Sequence, residues 1–221
     1  MYTLLKEIFS TKHAVDLRNK FSKIYLNNTF RGDESRSGVG SNLHQTAVIR
    51  SELPKLIKIL EIKTLIDAPC GDWYWMKETA LGVEHYIGVD IVETLIEQNN
   101  QRFATAAQQF LCLNIAEDTL PRGDLIFCRD CLVHLNYADI RKVIANFKRS
   151  QSRYLLTTTF TARTKNIDLV RRNIWRTLNL QLAPFHFPPP LMIINENCTE
   201  MNGQYADKSL GLWLLDDLTV D

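Results

Sequence analysis

Residues 65–76 read LIDAPCGDWYWM. An apolar run ends at Asp67, a tight stretch with one glycine (Gly71) follows, and aromatics and a methionine close the segment. An apolar run of this kind, bounded by turn residues, reads as a short buried strand from Lys63 to Asp67. The residues after it stand where a nucleotide-binding turn would lie, yet Pro69, Cys70 and Trp73 replace the expected glycines.

Downstream, strands and helices alternate. The pattern predicts strands at Tyr86–Asp90, Gln109–Leu113, Asp124–Cys128 and Tyr154–Thr159, with helices at Tyr74–Ala80, Val92–Arg102 and Tyr137–Phe147. Such alternation argues for a parallel sheet with right-handed crossovers. Two late strands, Leu191–Ile194 and Leu210–Leu215, have no strong helix between them and suit an antiparallel pair at one edge. Upstream, residues 1–26 show loose helical spacing (Leu4, Leu5, Ile8, Phe9, then Val15, Leu17, Phe21, Ile24, Tyr25), residues 27–42 are polar and turn-rich, and residues 43–60 regain helical periodicity. The expected division is an N-terminal helical extension with a lid loop, 1–42, and one α/β domain, 43–221.

The 221 residues suffice for a full core, and 45% hydrophobic with 23% charged content is ordinary for a globular chain. A net charge of +1 gives no electrostatic footprint for nucleic acid, so none is expected as partner. No apolar run reaches the ~18–20 residues of a membrane span, and the first residues carry charges where a signal peptide needs an apolar stretch. Five scattered cysteines suit a reducing cytoplasm better than a disulfide framework.

Ligands of open parallel sheets bind beyond the carboxyl ends of the strands. Residues 68–73 lie there, and a helix after them would offer free backbone N–H groups. A dinucleotide turn wants G-x-G-x-x-G, and its absence points to a ligand without phosphates, such as S-adenosylmethionine. Gly71 permits close approach to the backbone. Asp90, at the end of the second strand, can accept hydrogen bonds from both ribose hydroxyls, or simply be a capping acid. Asn114 can reach an adenine edge with Ile115 covering the ring, and an ordinary turn role suits Asn114 equally.

The segments TLIDAPCGDWYWM, YIGVDIV, FLCLNIAED and DLIFCRDCLVHL follow the motif order of class I S-adenosylmethionine-dependent methyltransferases, and the chain resembles that family. Its D-x-G-x-G-x-G appears as Asp67-Ala68-Pro69-Cys70-Gly71-Asp72-Trp73, a variant that resembles a bacterial subfamily also similar in SGVGSNLHQT and WRTLNLQLAPFHFPPP. The resemblance implies a Rossmann-like, doubly wound sheet of order 3-2-1-4-5-7-6 with strand 7 antiparallel. It implies that Asp67 and the Ala68–Asp72 loop line the methionine and ribose side, that Asp90 and Ile91 hold the ribose, and that Asn114 and Ile115 meet adenine. Arg129 would lie near the transferable methyl. S-adenosylhomocysteine would be the product.

Methyl transfer from a sulfonium is an in-line displacement, so the protein must align a nucleophile and, for a hydroxyl or amine, remove its proton. Asp130 and His134 are spaced i, i+4 and would share a helix face. His134 then suits a general base and Asp130 its orienter or a substrate anchor; a helix cap and a structural imidazole are the ordinary alternatives. Cys128-x-x-Cys131-x-x-His134 invites zinc, but Cys128 belongs to a buried strand and free cysteine commonly packs as a small hydrophobe, so no metal is expected. The SGVGSN loop (37–42) reads as a lid whose amides, with Arg50, meet the ligand carboxylate, or as a helix cap. Arg163, Arg172, Asn173 and Trp175 either contact the acceptor or form a solvated face. Trp73, Tyr74 and Trp75 read as core or as a wall of the site, and the 184–190 stretch PFHFPPP as a rigid link or a lid wall. The favoured function is methyl transfer to an oxygen of a small polar or carbohydrate-type molecule. A binding domain without catalysis and an NAD-dependent reductase are the alternatives.

Overall fold

The structure, a computed structural model, describes residues 17–169 and 173–219. The expectations for residues 1–16 and Arg172 lie outside the described residues.

Residues 17–26 are helical (α1), and a mostly irregular segment leads to α2, Ala47–Ile59. The strands are β1 (Thr64–Asp67), β2 (His85–Asp90), β3 (Gln108–Cys112), β4 (Leu125–Cys128), β5 (Tyr154–Phe160), β6 (Met192–Asn195) and β7 (Lys208–Leu214). They form a seven-stranded sheet in the order β3-β2-β1-β4-β5-β7-β6. β7 runs antiparallel to both β5 and β6, and the other pairs are parallel. This is the expected seven-stranded, doubly wound α/β architecture.

Strand alternation sends successive side chains to opposite faces. Ile66, Ile126 and Leu155 pack against α4 (Tyr137–Arg149) through Ile140, Val143, Ile144 and Phe147. Leu65, Leu125 and Leu156 face α2 and α3 (Glu93–Phe103), through Ile49, Leu53, Leu56, Leu95 and Ile96. Each such fully buried aliphatic or aromatic side chain contributes about 1.5–3 kcal/mol.

Two expected helices are corrected. Between β1 and β2 there is no α-helix; Tyr74–Ala80 is irregular apart from a 3₁₀ turn at Met76–Glu78. Gly71 (φ 54°) and Trp73 (φ 56°) are left-handed, a conformation costing a non-glycine about 1–2 kcal/mol. Trp73 offsets that by packing its ring among Tyr86, Phe103 and Phe110, with centroids 4.8–5.7 Å away; such pairs each add about 0.5–1.5 kcal/mol. The second correction concerns Asp130–His134. Asp130 is left-handed (φ 51°), and only Leu132–His134 forms a 3₁₀ turn. The cap of α4 is Asn136, whose Oδ1 accepts the Asp139 N–H at 2.9 Å while its Nδ2 donates back to Asp139 Oδ2 at 2.8 Å.

Candidate functional site

A cavity opens beyond the carboxyl ends of β1, β2 and β4. Of the expected binding residues, Asp67, Pro69, Cys70, Gly71, Asp72, Asp90, Ile91, Asn114, Ile115 and Arg129 line it, as do Asp130 and His134. Ala68, the first residue of the turn after β1, is buried behind them. Arg50 does not line it; its Nη2 donates to the Leu43 carbonyl at 3.0 Å.

The roof is the N-terminal segment. Leu17, Phe21, Ile24, Tyr25, Phe30 and Ser41 face the cavity. Arg18 Nη1 holds it to the Ile91 carbonyl (3.0 Å) and Lys20 Nζ to the His134 carbonyl (3.1 Å). The Asp72 carboxylate accepts the Ser35 hydroxyl (2.8 Å) and the Arg36 N–H (2.9 Å), so this loop acid is spent largely on the strap. A Cβ at Gly71 would stand 2.4 Å from Ser37 Oγ, so the close approach that requires glycine is made by the strap itself.

On the floor, Asp67 and Asp90 stand on adjacent strand ends, each with 7% or less of its surface exposed. The Tyr86 hydroxyl donates to Asp67 Oδ2 at 2.5 Å. Burial pushes the Asp67 carboxyl up to about 8, against the Tyr86 hydrogen bond and with the Asp90 charge adding to the rise. Burial likewise lifts Asp90 to about 6, although it accepts the Val92 N–H (3.0 Å) and the Gly71 N–H (3.2 Å). Neither carboxyl has a salt-bridge partner among the described residues. A cation beside them would relieve both. Asn114 gives its Oδ1 to the Ala116 N–H at 3.0 Å, while its buried Nδ2 has no partner. Trp75, under the Arg129 guanidinium at 5.8 Å, forms part of the wall.

At the β4 end the sequence reading missed half the arrangement. Arg129 Nη2 donates to Glu196 Oε2 and to the Gly40 carbonyl, each at 2.8 Å. Lys208 Nζ donates to Asp130 Oδ2 at 2.6 Å and lies 3.4 Å from Glu196. Burial alone would raise Asp130, but the Lys208 and Arg129 charges outweigh it and hold the carboxyl at about 2. Lys208 heads an otherwise apolar strand, a signal visible in the sequence; Glu196 carries none.

The His134 Nδ1 lies 2.5 Å from the Ile174 carbonyl, and the ring packs on Phe30 with centroids 4.8 Å apart. Only Nδ1–H can satisfy a carbonyl, so Nε2 keeps the lone pair. Burial pulls the imidazole down to about 4, against the pull of that carbonyl and of Asp130.

Other candidates sit elsewhere. Arg163 pairs with Asp207 at 2.8 Å, Trp175 packs on Phe160 and Tyr205, and neither they nor Asn173 line the cavity. The PFHFPPP stretch packs inward through Phe185 and Phe187, and the Pro188 carbonyl accepts the Trp213 indole N–H at 2.8 Å. Among the described residues no three His, Cys, Asp or Glu side chains are placed to share a metal ion, and no helix is long and apolar enough to cross a membrane.

No protein-family model and no curated protein matches the chain. Solved structures do. One is the 1,6-didemethyltoxoflavin-N1-methyltransferase of Burkholderia thailandensis, with bound 1,6-didemethyltoxoflavin and S-adenosylhomocysteine, at 16% identity and TM-score 0.62 over 92% of this chain and 89% of that one. This is the Rossmann-like methyltransferase fold. The N-methyltransferase NodS of Bradyrhizobium japonicum WM9 has the same fold at 13% identity and TM-score 0.52, over 76% of this chain and 96% of that one. The chain spans only 34% of human N-acetylserotonin methyltransferase, which it matches at 15% identity over 52% of its own length, with TM-score 0.44.

Proposed function

We propose that the chain is an S-adenosylmethionine-dependent methyltransferase acting on a small molecule, and that residues 1–42 include the lid of its site. The observation that carries the reading is the pair Asp67 and Asp90: two buried carboxyls with no salt-bridge partner among the described residues, lining a cavity beside an unpartnered amide nitrogen of Asn114. That donor set fits a cationic, phosphate-free ligand with a ribose and an adenine edge. A dinucleotide fits poorly, because no α-helix follows β1 and so no helix N-terminus is available for a pyrophosphate.

S-adenosylmethionine would bring an activated methyl on a sulfonium. The chain's own work is to bind and orient, exclude water and take a proton. Asp90 and Ile91 would hold the ribose, Asn114 and Ile115 the adenine, and Asp67 with the Pro69–Gly71 turn the amino-acid side. Ala68 supports that turn from behind, and Arg129 borders the methyl side. The strap over the cavity excludes water. His134 Nε2, neutral and with its lone pair free, is the proton acceptor, and a hydroxyl oxygen is the favoured methyl acceptor.

Calorimetric titration with S-adenosylhomocysteine and with NAD tests the cofactor. Binding of the first alone is expected; binding of NAD alone would overturn the assignment. Acceptor-dependent formation of S-adenosylhomocysteine separates an enzyme from a binding domain without catalysis.

A further inference from the structure

The cavity end bounded by β4 and α4 differs from the carboxylate floor. Its one strained residue is Asp130, left-handed at φ 51°, a conformation that persists only where the surroundings over-determine it. Those surroundings are specific. The Asp130 N–H donates to Thr158 Oγ1 at 2.8 Å, Lys208 Nζ donates to Oδ2 at 2.6 Å, and Arg129 Nη1 lies 3.3 Å from the same oxygen. Among the described residues Oδ1 receives only the Thr158 hydroxyl, at 3.5 Å, and so retains acceptor capacity. The Asp130 side chain is 26% exposed, whereas those of Lys208 and Arg129 are 6% and 4% exposed. Asp130 is the more exposed member of the group; Arg129 also lines the cavity, and Lys208 does not.

Both cations are committed. Arg129 is filled by Glu196 and the Gly40 carbonyl, and Lys208 by Asp130 and Glu196. An anionic acceptor would therefore meet the Asp130 charge with both of its adjacent cations already paired. The cavity lining also includes Phe30 packed on His134, Leu135, Cys131 and Trp75. A sugar would find few polar partners among them; a flat ring would find aromatic faces.

We propose that the acceptor is a flat, largely apolar, non-anionic molecule that presents an N–H or O–H to Asp130, with Lys208 and Arg129 as positioning residues for that carboxylate. This rests on the methyltransferase reading above and narrows it. In the reaction the X–C bond would form as the C–S bond of the cofactor breaks with sulfur keeping the electron pair, and the X–H proton, held first by Asp130, would be released to His134 Nε2 and then to water.

The test uses the full chain saturated with S-adenosylhomocysteine and three probes: indole, 1-methylindole and indole-5-carboxylate, read by ligand-observed NMR. Indole is expected to bind at least tenfold tighter than either of the others. Asp130→Asn should narrow the first ratio and strengthen indole-5-carboxylate at least tenfold. Lys208→Met should raise the pH at which indole binding is lost on acidification, because the carboxyl then titrates higher; a merely structural lysine would leave that profile in place. Thermal unfolding of each variant confirms that it folds. Wild-type binding of indole-5-carboxylate as tight as that of indole, no preference for indole over 1-methylindole, no detectable indole binding, or an unmoved pH profile would each overturn the proposal. If S-adenosylhomocysteine binds in those cases, the cofactor reading survives; if it does not bind, both fall.

Discussion

Asp72, in the loop after β1, receives the Ser35 hydroxyl on both carboxylate oxygens, at 2.8 and 3.0 Å, and so ties the N-terminal strap to the cavity wall. The Arg36 N–H at 2.9 Å and the Ser37 hydroxyl at 3.3 Å add to the same acid. Hydrogen bonds to a charged group contribute about 1.5–3 kcal/mol. Asp72→Ala is expected to weaken strap closure by about that amount. Amide exchange in residues 30–41 should accelerate while the sheet amides keep their protection, and S-adenosylhomocysteine should dissociate faster. Unchanged exchange in 30–41 would show that the strap is held elsewhere.

Asp67 should make cofactor binding pH-dependent. Its carboxyl is lifted to about 8 by burial, with Tyr86, Asp90 and Arg129 as the groups that face it. In the free protein it therefore keeps its proton at neutral pH, and a bound cation favours losing it. S-adenosylmethionine affinity should rise as pH increases from 6 to 8, with proton release. Titrations in phosphate and in Tris should then give different heats, and equal heats would refute the linkage. The same shift opposes stability. Between about 4 and 8 the folded state binds more protons at this site than the unfolded state, so stability falls as pH rises. Asp67→Asn should remove that slope in urea unfolding.

Asp90 offers a simpler test. Replacement by alanine removes the proposed ribose acceptor and should weaken S-adenosylhomocysteine binding by at least ~1 kcal/mol. It also frees the N–H groups of Gly71 and Val92 that the carboxylate holds. Calorimetry showing wild-type affinity would sink the ribose assignment.

Much of the sheet was legible because its signals are local. Runs such as Tyr86–Asp90 are apolar and short, and the weak pattern between the last two strands matches their antiparallel pairing through β7. The helix expected at Tyr74–Ala80 is disrupted at its start, where Trp73 is left-handed and its ring is held by Tyr86 on β2 and Phe110 on β3. The face it would have covered is packed by α2, which precedes β1. At the site, strand-end residues such as Asp67 and Asp90 could be named, since topology places strand ends at the cavity. Glu196 could not, and the charge of Lys208 at the head of its strand could not be assigned to the site, because only the order of the last two strands brings both to β4. The helical spacing of Asp130 and His134 was misleading; the true start is the Asn136-x-x-Asp139 pair, a capping signature that was present in the sequence.

His134 should affect turnover more than cofactor affinity. Its imidazole is drawn down to about 4 by burial and so is neutral throughout the neutral range. A base of this kind leaves the rate flat above about pH 5 and lets it fall below, as the ring takes up a proton. His134→Ala should lower kcat by 10²–10⁴-fold, the usual scale of general-base removal, and abolish that acidic limb while leaving S-adenosylhomocysteine binding nearly unchanged. Equal turnover in mutant and wild type across pH would exclude the base role.

The Arg129–Glu196 pair is buried on both sides, at 4% and 1% side-chain exposure. Glu196 Oε1 has no partner, so the pair is imperfectly satisfied. Breaking such a pair from one side leaves an uncompensated buried charge, at a cost of about 3–5 kcal/mol, whereas replacing both members with apolar residues is often neutral or stabilising. Glu196→Leu should therefore destabilise the fold by about 3–5 kcal/mol, and adding Arg129→Met should recover most of the loss, because Lys208 and Asp130 remain paired with each other at 2.6 Å. Urea unfolding of the two variants checks this. The double variant also lacks the Arg129 bond to the Gly40 carbonyl, so its strap should exchange amide hydrogens faster than that of Glu196→Leu even as its overall stability returns. Recovery of stability together with strap protection would mean that Gly40 is held without Arg129.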